Sequence, residues 1–250
     1  MTVVSVHDLA EVRVGDLVIE VAPPTERTTL EIVVERDASL VLKAPDGASV
    51  ERVQKFVSTK RSWIYRKLAE KDALVGPPVV KRFVDGEGFA YLGRSYRLLV
   101  DESADSIRLS QGRLHAPPSV SEAGAQLMRQ WYVKTGSQWL RRRIKPWSAR
   151  MGIDSVVVEV RDLGYRWGSA KPAEVNQQVN VHWATLQLPP NLVDYVLVHE
   201  LAHLCEANHT PEFWSIVSQL MPGYEAQKTN LAALGRNIWL GSSDKDGGRN

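Results

Sequence analysis

The chain has 250 residues, 44% hydrophobic and 24% charged, a globular composition that excludes a disordered, collagen-like or disulfide-scaffold protein. A net charge of +2 is too small to mark a nucleic-acid binder by itself, and the single cysteine, Cys205, excludes an intrachain disulfide and fits a reducing compartment. Met1 to Gly15 lacks the basic start and apolar run of a signal peptide, and no stretch approaches the roughly 18–20 apolar residues that span a bilayer, so a soluble, cytoplasmic protein with no membrane partner is expected.

Short β-branched runs at 16–21, 30–35 and 40–43 predict three strands, separated by Pro23-Pro24 and closed by Pro45-Asp46-Gly47. Ser49 then caps a predicted helix. Its Val50, Val53, Val57, Ile64 and Leu68 recur near a 3.6-residue period, and Gly76-Pro77-Pro78 ends it. Segments 89–92 and 96–100 flank Gly93-Arg94-Ser95, and 106–109 and 113–115 flank Ser110-Gln111-Gly112; each reads as a hairpin.

The second half opens at Pro117-Pro118-Ser119. Ser119 and Glu122 have capping-box spacing and start a helix predicted to run to Lys145, where Pro146 breaks or kinks it. Strands are expected at 155–160 and 178–183, and Pro189-Pro190-Asn191 introduces a helix through about Ala207. Thr210, Pro211 and Glu212 supply the cap, first-turn proline and first-turn acid of the next helix, which Pro222-Gly223 stops. A last helix is expected at 224–234, with Gly235 as its stop. The expectation is an α+β fold: a strand-rich region with one helix over 1–118, a metal-binding domain over 119–240, and a disordered Gly/Ser/Asp-rich tail over 241–250.

The chemistry concentrates in one segment. His199 and His203 are four apart, so on a helix they lie about 40° apart and one turn along, where two imidazoles can meet one metal ion. Glu200 projects about 100° away, near enough to serve water beside the ion without ligating it, which is the H-E-x-x-H logic of zinc hydrolases. Val193, Val196, Leu197, Val198, Leu201, Ala202 and Leu204 make this helix apolar nearly all round, so it is expected to be buried. Polar groups buried there need partners, and a metal supplies one. A catalytic zinc takes three protein ligands. His209 is the natural third, reached if the chain turns at a left-handed Asn208; Glu212 and Glu225 are its rivals. Cys205 lies well round the helix from the histidines and reads as a buried thiol.

With Pro211, Phe213, Trp214, Pro222 and Tyr224 after it and Arg166-Trp167-Gly168-Ser169 before it, His199–His209 resembles the YgjP-like metallopeptidase family, zincins related to the SprT-like and WLM metalloproteases. The strands and helix through Leu74 and Tyr91-Leu92-Gly93 resemble the family's N-terminal part. The resemblance implies a zincin-like catalytic domain, Zn2+ held by His199, His203 and His209, and Glu200 as catalytic acid/base. It also implies a peptide or protein substrate, although some members are described as nucleoside-triphosphate pyrophosphatases. The family's usual Cys after the Ser is Ala170 here, so thiol chemistry at that position is not expected.

Other features are subsidiary. Arg166 is a candidate for holding an oxyanion or a nucleotide phosphate, while Trp167 and Gly168 suit packing and close approach. Tyr224 and His182 are candidate transition-state donors. Between Ala123 and Ile153 there are seven basic residues and no acidic one, from Arg129 to Arg150, with Trp131, Trp139 and Trp147 at eight-residue spacing. That stretch reads as a solvated helix packed by its tryptophans, or as a nucleic-acid surface beside a structural metal. The expected function is zinc-dependent peptide hydrolysis, with nucleotide pyrophosphate hydrolysis and nucleic-acid binding as alternatives.

Overall fold

Val12 and Val14, alternating with Glu11 and Arg13, form a strand the sequence reading missed, β1 (Glu11–Val14). It pairs antiparallel with β2 (Leu17–Val21); β3 (Glu31–Val34) and β4 (Leu40–Lys43) complete a sheet of order β1-β2-β4-β3, with β2 and β4 parallel. Helix α1 (Val50–Asp72) begins where expected: the Ser49 hydroxyl accepts from the Arg52 amide at 3.2 Å. Its Val53, Val57 and Ile64 bury against Val12, Ile19 and Leu42. The computed structural model describes residues 5–24, 26–34, 39–72, 79–164, 166–173 and 176–242, so the expected stop at Gly76-Pro77-Pro78 lies outside the described residues.

These elements make one compact unit, Met1–Gly76; Pro77–Asn250 make a second. In the second, β5 (Gly88–Tyr91), β6 (Arg94–Val100), β7 (Arg108–Ser110) and β8 (Arg113–Ala116) pair in the order β5-β6-β8-β7 with the inner pair parallel, the topology of the first sheet. Both expected hairpins form, each on a two-residue turn. Leu92-Gly93 and Gln111-Gly112 all have positive φ, the pattern that matches strand twist. The amide of Leu92 is held by the carbonyl of Leu186 at 2.7 Å, which fixes this uncommon leucine conformation.

Helix α2 (Val120–Arg143) follows, but the capping box does not close: Glu122 donates its amide to the Ser119 carbonyl, and the serine side chain makes no cap bond. The break expected at Pro146 occurs at Ile144, and Pro146 sits in the first turn of a short helix, α3 (Lys145–Arg150). Strands β9 (Val156–Arg161), β10 (Gly168–Lys171) and β11 (Gln177–His182) form a third sheet, order β10-β11-β9, with β10 at an edge. A 3-10 turn, Trp183–Gln187, leads into α4 (Pro190–His203), and α5 (Pro211–Leu220) and α6 (Tyr224–Gly235) follow.

Phe89, Leu98 and Leu114 share one core with Met128, Tyr132, Trp183, Val181 and Leu197. The division between units therefore falls between Gly76 and Pro77, where the sequence reading placed it at 118/119. Strands 88–116 cannot bury their apolar faces without α2 and Trp183. The fold class is α+β, as expected. No described helix is long and apolar enough to cross a membrane. Of the expected tail, Gly241 and Ser242 are described, with the Ser242 carbonyl accepting from the Trp239 indole at 2.8 Å; residues 243–250 lie outside the described residues.

Candidate metal centre

Helix α4 is mostly apolar, and all of Leu192–Val198 is buried. The exception among these, Asp194, is 6% exposed and takes a two-pronged ion pair from Arg143 (2.7 and 2.6 Å) plus the Trp147 indole N–H at 3.2 Å. This pair fixes α4 against α2 and α3. The helix ends at His203, short of the expected Ala207, because the following turn captures its groups. The amides of Cys205 and Glu206 donate to the Ala202 carbonyl, and the Glu206 carboxylate accepts from the Asn208 amide at 3.0 Å. Asn208 is not left-handed, contrary to expectation; the Glu206 side chain closes the turn instead. Cys205 is exposed rather than buried, since it lies in this turn and not on the helix.

The turn swings His209 back over the helix face. His209 Nε2 lies 3.0 Å from His199 Nε2 and 3.2 Å from His203 Nε2, and the three ligand atoms fall within 4.8 Å of one another. Thr210 then caps α5, its hydroxyl accepting from the Phe213 amide at 3.3 Å. Among the described residues no other group brings three potential ligand atoms together, so Glu212 and Glu225 stay outside. His203 Nδ1 lies 3.1 Å from the Glu206 carbonyl, which can only accept, so the proton is on Nδ1 and the Nε2 lone pair faces the cluster. Burial, helped by His203, His209 and Lys228, holds His199 down to about 3; burial, then His203 and Lys228, lower His209. Three imidazole nitrogens turned toward one another are a donor set for a cation. An ion at roughly 2.0–2.1 Å from each nitrogen in tetrahedral geometry separates them by about 3.3 Å, close to what is seen.

Glu200 is not part of this cluster and is 6% exposed. Burial pushes its carboxyl up to about 8, with Arg166 opposing the rise. The room it occupies comes from the Arg166–Ser169 segment. A Cβ on Gly168 would sit 2.6 Å from Glu200 Cγ and 2.7 Å from Oε1, so only glycine lets β10 approach the carboxylate. Trp167 in turn fits over Gly235 of α6, where a Cβ would lie 2.5 Å from its ring. Both residues thus set the distance between β10 and its neighbours. Arg166 is exposed beside them.

The other candidates divide. His182 is buried, its Nδ1 accepting from the Ala184 amide at 3.1 Å and its Nε2 facing Asp162 at 3.4 Å. Tyr224 stacks on Trp214 (5.2 Å, 14°), which stacks on His209 (5.6 Å, 20°). Two residues passed over in the sequence stand near the centre. Tyr195, one turn before His199 and so on the ligand face, is buried; desolvation raises its phenol to about 12, with Tyr224 and Glu200 adding to the rise. Lys228 places its ammonium 4.5 Å from the Trp214 ring centroid. The i−4 spacing would have found Tyr195; no local pattern points to Lys228. In the basic stretch, Trp131 is buried and Trp139 and Trp147 pack on the core. Arg143 is committed to Asp194 and Arg129 faces Asp162 at 3.7 Å, the arrangement of a packed, solvated helix.

A family model described as "YgjP-like, metallopeptidase domain" matches residues 28–234. Among solved structures, the metallopeptidase zymogen abylysin of Pyrococcus abyssi is similar at 26% identity, over 38% of this chain and 94% of that one, with a TM-score of 0.31. A search of the curated proteins gave no match. The family match runs from just before β3 through the 3-10 turn and the helices around the histidine cluster, and the chain belongs to the YgjP-like metallopeptidase family.

Proposed function

We propose that the chain is a zinc metallopeptidase in which His199, His203 and His209 hold the ion and Glu200 is the general base. One observation carries this reading: three imidazole nitrogens converge within 4.8 Å, one residue from a buried carboxylate that is not among them. Zinc bound there would acidify water and polarise a peptide carbonyl. Glu200 accepts the proton of the attacking water and delivers it to the leaving amine, a role suited to a carboxyl whose affinity for protons is raised by burial. The backbone of β10, paired on one side with β11, offers its other edge to an extended peptide, and Gly168 keeps that edge next to Glu200. His182 has both ring nitrogens engaged, which leaves Tyr224 as the donor to developing negative charge. Glu200→Gln tests the assignment. It should keep its zinc and lose at least the 10²–10⁴-fold that general-base catalysis contributes, measured as casein hydrolysis with metal content determined in parallel. Loss of zinc from this variant would make Glu200 a ligand or support and overturn the mechanism.

A further inference from the structure

Two cations, Lys228 and Arg166, stand beside the centre. Lys228 of α6 lies over Trp214, 4.5 Å from the ring centroid, and Trp214 stacks on His209. The ring face holds the ammonium and so places its charge. Arg166 lies two residues before Gly168, the position pressed against Glu200. Among the described residues neither forms an ion pair, although Glu225 is on the same helix as Lys228 and Glu212 is on α5. Elsewhere in this unit cations do find carboxylates, as in Arg143–Asp194, Arg161–Glu159 and Lys81–Glu87.

An unpaired ammonium next to three imidazoles that gather to hold a cation is unfavourable by simple Coulomb repulsion. The repulsion is relieved when an anionic group enters between them. We propose that Lys228 and Arg166 select peptides carrying carboxylates close to the scissile bond, so that the substrate class is acidic peptides; this rests on the peptidase reading above. The arrangement makes recognition additive: each cation meets one carboxylate, with charge-assisted hydrogen bonds from a side chain whose position is already set.

The test uses the zinc-loaded full chain and matched fluorogenic peptides carrying Glu, Gln or Lys at each of the two positions on either side of the cleaved bond. Wild type should show a kcat/KM for Glu over Lys of about ten-fold or more at low ionic strength, shrinking as salt is added. Lys228→Met, which keeps an apolar stem over Trp214, should remove the preference at one position, chiefly through KM, and Arg166→Gln should remove it at another. Binding of the same peptides to zinc-loaded Glu200→Gln, read by fluorescence anisotropy, reports the charge preference without turnover. Equal kcat/KM and equal binding for Glu and Lys peptides in wild type would overturn the inference, as would a preference that survives in the double variant. Preferential binding of acidic peptides with no cleavage by wild type would leave the cationic site standing and sink the peptidase reading instead.

Discussion

Replacing Gly168 with alanine probes the contact that joins the upstream segment to the Glu200 carboxylate. The new Cβ would lie 2.6, 2.7 and 2.8 Å from Glu200 Cγ, Oε1 and Cδ, which is 0.6–0.8 Å inside the 3.4 Å of ordinary contact. Glu200 is 6% exposed, so it has no open space into which to swing, and either the carboxylate or the edge strand must shift. Overpacking of this kind costs about 1–3 kcal/mol. At roughly 2–4 °C per kcal/mol for a chain of this size, the melting temperature should fall by about 2–12 °C. With Glu200 as the proposed general base, a displacement on the order of 1 Å should lower kcat by about 100-fold. The three histidines proposed to hold zinc are not touched, so metal content should be unchanged. The assay combines differential scanning calorimetry, casein hydrolysis and metal analysis on one preparation. A Gly168→Ala protein with wild-type melting temperature and wild-type kcat would show that β10 does not set the position of Glu200.

Further outcomes follow from the same contacts. Asp194→Ala removes the buried partner of Arg143 and the acceptor of the Trp147 indole; because Arg143 is 41% exposed and can rehydrate, the loss should be about 1–3 kcal/mol, read by urea denaturation. In metal-free protein, the folded state keeps the Glu200 proton up to about 8, whereas the unfolded state releases it near 4.5. Unfolding free energy should therefore decline as pH rises between those values, and Glu200→Gln should flatten this slope in chelator-containing buffer.

Most of the fold was legible because its signals are local. The turn dipeptides set both hairpins, Ser49 and Thr210 mark the starts of α1 and α5, and the spacing of His199, Glu200 and His203 gives their faces on α4. What escaped depends on partners distant in sequence. Strand β1 is short and half solvated, so its alternation of Val12 and Val14 with charged residues carried little weight until β2 paired with it. The unit boundary was misplaced because hairpin strands and helices contribute to one core through Phe89, Met128 and Trp183. Helix α4 stops at His203 because the Glu206 carbonyl and carboxylate are used in the turn, a competition that propensity does not register. The same early stop exposes Cys205. Gly168 was recognisable as a close-approach glycine, but its neighbour, Glu200, was not.

The central claim, that the three histidines together hold one ion, is tested most directly by metal content. Elemental analysis of protein purified without chelator should give about one zinc per chain for wild type, and His209→Ala should lose it while retaining the fold by circular dichroism. An His209→Ala protein that kept one tightly bound zinc per chain would contradict the account, since the turn that returns His209 to α4 would then have no part in the centre.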